Sequence, residues 1–264
     1  GRMPSVLTGA NLANRDLIYL GVSGDGDSAS IGFGQFAHAI RRAVNMTYIV
    51  ENNGVYGLTK GQFSATSDKG SKSKKGVANP DSPIDLVTIA LQLGATFVAR
   101  SFSGDKGQLT PLIKAALEHK GAAFIDCISP CIAFNNHDGS TKSFDYVREH
   151  NAALNSLDFL AGRAPITIDH AEGESQNVKL HDGSTIRLRK LAGDYDIHDR
   201  AAAMTHLYKL ASEGEIATGL IYLDEEPGDM HQRLGTVATP LNALGDQDLA
   251  PGAAALAKIN ASLR

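Results

Sequence analysis

The feature that most constrains this chain is a change of apolar period repeated along its first half. Asp16-Leu-Ile-Tyr-Leu-Gly-Val-Ser is a short apolar run stopped by glycine, the pattern of a strand buried on both faces. From Ser30 to Asn45 the period becomes helical, with Ile31, Phe33, Phe36, Ala37, Ile40 and Val44 along one face and Arg41 and Arg42 near the end. Met46 to Val50 is a second buried strand. Parallel strands can be joined only by a long crossover, and the crossover helix must bury its apolar face on the sheet. A strand-turn-helix-strand run therefore points to a parallel sheet.

The alternation continues beyond a polar stretch that runs from Gln62 to Pro80. Ser82-Pro83 is expected to cap a helix bearing Ile84, Val87, Ile89 and Leu91 and stopped by Gly94; Ala95 to Ala99 reads as a strand, Leu109 to His119 as a helix and Ala122 to Ile128 as a strand. The predicted fold class is α/β, a doubly wound, mostly parallel sheet between Leu17 and Ser129, in a core domain of residues 1–135. Residues 136–264 read as an irregular α+β carboxy-terminal extension. It holds a helix from Phe144 to Leu157 and a hairpin of Val178–Leu180 and Thr185–Leu188 about Asp182-Gly183. A helix at Arg200–Ser212, a strand at Ile216–Leu223 and an amphipathic tail helix from Pro251 to Leu263 follow.

Composition sets the remaining bounds. A net charge of −4 gives no basic field for a nucleic-acid backbone, and no apolar run approaches the roughly 20 residues of a membrane span. Cys127 and Cys131 are too few for a disulfide framework, so a reducing cytoplasm is expected. The chain opens Gly1-Arg2-Met3 and is expected to run almost directly into the first strand, as though an amino-terminal piece were missing. Glycine, 27 of 264 residues, is enriched in the first quarter, where backbone can approach a ligand closely.

The first strand-to-helix turn reads Gly24-Asp25-Gly26-Asp27, and the next strand ends in Asn52-Asn53-Gly54-Val55-Tyr56-Gly57. Gly24-x-Gly26-x-x-Ala29, with Glu51 at the end of the following strand, fits a dinucleotide fingerprint in form. Asp25 and Asp27, however, put two carboxylates where a bare pyrophosphate would lie, and their repulsion calls for a cation between them. Magnesium is a hard ion that takes oxygen ligands and bridges protein groups to a diphosphate. Asp25, the Asn53 side chain and the Val55 carbonyl are the candidate protein ligands.

Gly24-Asp25-Gly26, 26 intervening residues and then Asn53 within Asn-Asn resemble the motif of the thiamine diphosphate enzymes. Tyr56-Gly57-Leu58-Thr59-Lys60-Gly61-Gln62, Ser129-Pro130-Cys131 and the tail Lys258 to Arg264 narrow the resemblance. They are similar to the β subunit of two-subunit 2-oxoacid:ferredoxin oxidoreductases, above all the 2-oxoglutarate enzymes. The resemblance implies thiamine diphosphate and Mg2+ held at Gly24, Asp25, Gly26, Asp27, Asn53, Val55, Tyr56, Gly57, Leu58 and Thr59. It also implies a 4Fe-4S cluster with Cys131 as one ligand and three further ligands upstream of Gly1.

The implied partners are an α subunit, which carries the glutamate against the cofactor's pyrimidine ring and contacts to the substrate carboxylate, and ferredoxin as electron acceptor. Coenzyme A takes the acyl group from the 2-oxoacid. From the residues alone, Cys131 reads as a buried structural thiol, and only the resemblance makes it a cluster ligand; Cys127 is taken as structural. Lys60 is the candidate catalytic cation, close enough to the metal site to meet a substrate carboxylate. Lys69, Lys72, Lys74 and Lys75 read as a solvated loop, with a lid or a dock for acidic ferredoxin as the sharper alternative. The nine histidines show no metal-ligand spacing. The rival activity is a non-oxidative thiamine diphosphate decarboxylase or carboligase, and within the resembled family a pyruvate-type enzyme.

Overall fold

The computed structural model describes residues 1–72, 76–153, 175–179, 185–189, 195–250 and 252–263. Its centre is an eight-stranded sheet in the order β1-β2-β6-β5-β10-β7-β9-β8. The strands are β1 (Leu20–Gly24), β2 (Met46–Asn52), β5 (Phe97–Phe102), β6 (Ala122–Ile128), β7 (Asn151–Ala153), β8 (Ser175–Lys179), β9 (Thr185–Arg189) and β10 (Ile216–Leu223). β3 (Val55–Tyr56) and β4 (Gln62–Phe63) form a separate small antiparallel hairpin. β1, β2, β6 and β5 are parallel neighbours, whereas β10 runs antiparallel to β5 and β8 antiparallel to β9. The mostly parallel α/β sheet expected from the sequence is thus present, and β10, far along the chain, adds directly to its central strands.

Helices cover both faces. α2 (Phe33–Arg41), α3 (Leu86–Leu93) and α6 (Arg200–Ser212) share a core in which Phe36 meets Phe124 edge-on at 5.1 Å and Tyr48 at 5.9 Å. On the other face α4 (Lys106–Glu118) buries Leu112 and Ala116 against Ile49, Phe97, Ala99 and Ile125. The strands that face both layers are accordingly rich in apolar residues: β6 is buried at every position, and Asp126 is its one charged residue.

Several local expectations are corrected. A helix, α1 (Met3–Ala13), precedes β1, so the chain does not run directly into a strand. It buries Leu7 and Asn11, one helical turn apart, and a Cβ on Gly21 would press into the Leu7 and Met3 side chains. The first crossover helix does not start at Ser30; a single π turn, Gly26–Ile31, comes first and α2 begins at Phe33. α3 is capped by Asp85, whose carboxylate accepts from the Val87 amide, and not by Ser82-Pro83; the Ile84 amide is bound to the Ala65 carbonyl at 2.8 Å, outside the helix.

α5 (Phe144–His150) gives way at once to β7, so the helix expected to reach Leu157 ends at His150 and residues 154–157 lie outside the described part. The hairpin strands pair antiparallel as expected, while Asp182-Gly183 lies outside the described residues. α7 (Met230–Leu234), α8 (Asp246–Leu249) and α9 (Gly252–Ser262) complete the chain, and no residue of α9 is buried. Among the described residues no helix is long and apolar enough to cross a membrane.

Candidate cofactor and metal site

Parallel strands deliver their carboxyl ends to one edge of the sheet, and in open α/β sheets that edge is where ligands bind. The β1–β2 register sets Gly24 beside Glu51. The chain then continues on one side into Asp25 and on the other into Asn52 and Asn53. The Asn53 amide donates to Asp25 Oδ1 at 3.3 Å, joining residues 28 positions apart.

Asp25 is 1% exposed. Its Oδ2 accepts from Thr66 Oγ1 at 2.6 Å and from Ser64 Oγ. Among the described residues no cation pairs with it. A buried carboxylate held only by neutral donors is an incompletely compensated charge. It is a site that a cation fits.

Asn53 and Val55 belong to the same corner: Asn53 Oδ1 accepts from the Val55 amide at 3.0 Å, fixing the loop that presents both residues. Among the described residues no group of three His, Cys, Asp or Glu side chains could hold a metal. A cation at Asp25 would therefore draw its other protein oxygens from an amide and the main chain, a donor set that suits a hard ion such as magnesium.

The space around the turn is uneven. A Cβ on Gly24 would meet nothing within 4 Å, whereas one on Gly26 would collide with the Tyr56 ring, whose hydroxyl donates to the Gly26 carbonyl at 3.0 Å. Asp27 diverges from Asp25. Its side chain is half exposed, lies 3.3 Å from the Gly1 amine and accepts from Ser23 Oγ at 3.5 Å. The two carboxylates thus have different partners and different exposure, Asp25 buried on neutral donors and Asp27 half exposed, and Asp25 carries the argument.

Gly57, Leu58, Thr59 and Lys60 occupy the tip of the β3–β4 hairpin, with Leu58 98% exposed and Thr59 and Lys60 also exposed. Thr59 Oγ1 donates to Gln62 Oε1 at 2.6 Å. Lys60 has φ +77°, a left-handed conformation uncommon outside glycine.

Cys131 follows β6 and is half-buried; a Cβ on Gly57 would lie 3.9 Å from its Sγ. Its carbonyl accepts from the Asn135 amide at 2.8 Å, and Asn135 Nδ2 donates to the Asn53 carbonyl at 2.8 Å. The cysteine loop and the Asp25–Asn53 corner are thus tied by one side chain. Cys127 is buried within β6, and burial, reinforced by Asp126 and Glu51, pushes its thiol up to about 12. Lys69 and Lys72 are exposed, and Lys74 and Lys75 lie outside the described residues.

Sequence reasoning missed Ser64, Thr66, Asn52 and Asn135. Ser64-Ala65-Thr66-Ser67 was the available signal, a hydroxyl-rich run directly after β4 inside what reads as a featureless polar stretch. Behind it, Asn52 Nδ2 donates to Asp126 Oδ1 at 3.0 Å, and Arg100 Nε donates to Asp126 Oδ2 at 2.9 Å. Arg100 also pairs with Asp85. These groups line a crevice of about 320 Å³ that also takes in Lys142 and Tyr146.

The chain is similar to proteins of known families. Residues 1–127 match the thiamine pyrophosphate enzyme, C-terminal TPP binding domain. The 2-oxoglutarate oxidoreductase subunit KorB of Mycobacterium tuberculosis is 43% identical over 153 residues, 58% of this chain and 40% of that one. The 2-oxoacid:ferredoxin oxidoreductase subunit beta of a Sulfolobus species is 44% identical over 137 residues, 52% of this chain and 45% of that one. The chain therefore spans less than half the length of these relatives. Over its full length it superposes with TM-score 0.69 and 29% identity on 73% of a chain of the 2-oxoglutarate:ferredoxin oxidoreductase from Magnetococcus marinus, solved with 2-oxoglutarate, coenzyme A and succinyl-CoA bound.

Proposed function

We propose, on the premise that residues 1–127 are the TPP-binding domain of a thiamine pyrophosphate enzyme and the chain a relative of the β subunits of 2-oxoacid:ferredoxin oxidoreductases, that it serves as the diphosphate-binding half of a 2-oxoglutarate:ferredoxin oxidoreductase. The observation that carries this reading is Asp25, a buried carboxylate without a partner cation among the described residues, hydrogen-bonded to the Asn53 amide where two parallel strands end. Asp25, the Asn53 side chain and the Val55 carbonyl would hold magnesium, and through it the cofactor's diphosphate. Bound thiamine diphosphate supplies the electron sink that oxidative loss of carbon dioxide from a 2-oxoacid requires.

This chain's own residues bind and orient. Gly24 leaves room beside the turn, and the Tyr56 ring packs on Gly26. The exposed tip, Gly57 to Lys60, would face the α subunit, which would contribute the pyrimidine-side glutamate and carboxylate contacts. There the Lys60 ammonium would meet the anionic 2-oxoacid. Cys131 would supply one thiolate to a 4Fe-4S cluster, its other ligands coming from residues not present in this sequence; such a cluster would supply one-electron chemistry toward ferredoxin, with coenzyme A as the acyl acceptor. The adjacency of the cysteine loop to Asn53 through Asn135 supports placing the cluster next to the cofactor.

The test is calorimetric titration of thiamine diphosphate in the presence of magnesium. Asp25→Ala is expected to abolish magnesium-dependent binding and Asn53→Ala to weaken it less, because the second change removes only a neutral amide. Undiminished affinity in the Asp25 variant would overturn the assignment.

A further inference from the structure

The two oxygens of Asp25 are held unequally. Oδ2 receives the hydroxyls of both Ser64 and Thr66, while Oδ1 receives only the longer 3.3 Å contact from the Asn53 amide. Both hydroxyl residues are buried, Ser64 at 6% and Thr66 at 1% exposure, and the Ser67 hydroxyl accepts from the Ser64 amide at 2.9 Å, which pins the loop. The oxygen nearer Asn53 and the metal-binding corner is thus the less encumbered one.

Counting hydrogens adds a second property. Thr66 Oγ1 lies 2.6 Å from Asp25 Oδ2 and 2.9 Å from Asn52 Oδ1, and it has one hydrogen to give. The Asn52 amide is oriented by its other end, because only its NH2 group can donate to the Asp126 carboxylate at 3.0 Å. Its carbonyl oxygen therefore faces Thr66 as an acceptor. Besides each other, 3.1 Å apart, Ser64 and Thr66 face two acceptors with their two hydrogens, Asp25 Oδ2 and Asn52 Oδ1.

We propose that Ser64 and Thr66 are positioning residues for the metal carboxylate. They clamp Asp25 by Oδ2 so that Oδ1 is presented to the cation, and Thr66 divides its hydrogen between Asp25 and Asn52. When a divalent cation draws charge from the carboxylate, the Thr66 hydroxyl turns to Asn52 Oδ1, and Ser64 remains as the standing donor. The clamp rests on the magnesium reading of Asp25. It extends that reading to residues on a different loop, and because either hydroxyl can serve the carboxylate, each is a partial substitute for the other.

The experiment measures the magnesium concentration that half-saturates thiamine diphosphate binding, by calorimetry on the full chain in its native assembly, for Ser64→Ala, Thr66→Val, Thr66→Ser and the Ser64→Ala/Thr66→Val double variant. Loss of groups that orient a metal ligand typically costs about 10- to 100-fold in metal affinity, so the double variant should move by about that factor. Each single variant should move by less than half of the double variant's logarithmic shift. Thr66→Ser should behave as wild type, and excess magnesium should restore full cofactor binding in every variant. Unchanged half-saturation in the double variant overturns the clamp. A loss that excess magnesium does not restore, or that Thr66→Ser shares with Thr66→Val, also overturns it, in favour of a purely structural role. If the double variant does not fold, the comparison of Thr66→Ser with Thr66→Val decides. Asp25→Ala run alongside separates the two levels: if it still binds cofactor in a magnesium-dependent way, the metal reading itself fails, whatever the hydroxyl variants do.

Discussion

Cys127 and Cys131 stand on one segment of chain but in opposite chemical settings. Thiol reactivity follows the thiolate fraction and access. Burial lifts Cys127 to about 12, which leaves about one thiol in ten thousand ionised near pH 8, inside a strand buried at every position. Cys131 is half-buried on the loop after the strand. In the native, cluster-free chain a small alkylating reagent is therefore expected to label Cys131 and to spare Cys127 until the protein is unfolded; peptide mass spectrometry reads the result. Equal labelling of both in the native state would contradict the placement of Cys127 in the core. The apolar run around Cys127 makes its burial legible in the sequence, whereas nothing local to Ser129-Pro130-Cys131 shows that Cys131 is brought beside Gly57.

At the scale of elements, the link between the metal corner and the cysteine loop is built on glycines that face the 134–142 segment. Gly54 has φ +73°, and a Cβ there would stand 2.9 Å from Asn135 Nδ2 and 3.0 Å from Lys142 Cδ. Gly61 has φ +94°, with the Phe134 ring 3.0 Å from a built Cβ. Gly61→Ala thus combines a left-handed backbone with a crowded contact, and a cost of about 1–3 kcal/mol is expected in urea unfolding. Gly70, at φ +83° with no heavy atom within 4 Å of a built Cβ, is the control: Gly70→Ala should cost less, because only the backbone term applies. Equal costs would mean that the hairpin tip does not dock on Phe134.

Elements whose ends are written in local chemistry were the legible ones. Arg200–Ser212 starts at Asp199, whose carboxylate accepts from two helix amides, and Ile216–Leu223 is one apolar run; both match expectation. The pairing of β10 against β5, antiparallel and more than a hundred residues distant, has no local signature. Neither does the start of β7 at Asn151, where the helical pattern of the sequence continues but the chain pairs with β10 instead. The Gly-Asp-Gly turn and Asn53 were legible because their spacing is a property of one strand-helix-strand unit. Ser64 and Thr66 were not, because their role depends on a loop folding back over that unit.

Across the whole molecule, a polar chain, buried beyond Asp85, joins the helix α3 cap to the metal corner. It runs from Asp85 through Arg100 on β5, Asp126 on β6 and Asn52 on β2 to Thr66 and Asp25. Arg100 is the hinge of this chain, with a side chain 11% exposed beside an Asp126 side chain that is 2% exposed. Burial alone would lower its pKa, but Asp85 and Asp126 together raise it, so the guanidinium stays charged. Burial pushes the Asp126 carboxyl up from its usual 3.8, against the opposing pull of Arg100.

Arg100→Met keeps apolar bulk but leaves Asp126 buried without its cation, and breaking such a pair from one side costs about 3–5 kcal/mol. The variant should therefore lose that much stability near neutral pH. The loss should also carry a pH signature. Without Arg100 the folded-state pKa of Asp126 rises further above its unfolded value, and below the unfolded value the carboxyl is protonated in both states and this part of the defect is absent. As pH rises, the unfolded chain releases the proton first, so stability falls until the folded pKa is passed. Relative to wild type, Arg100→Met should therefore recover stability as pH drops from about 7 toward about 4, and Asp126→Asn added to it should flatten the difference. Thermal melts of the three proteins across that range measure it. A defect that is constant with pH would mean that the charge left on Asp126 is not what Arg100 compensates.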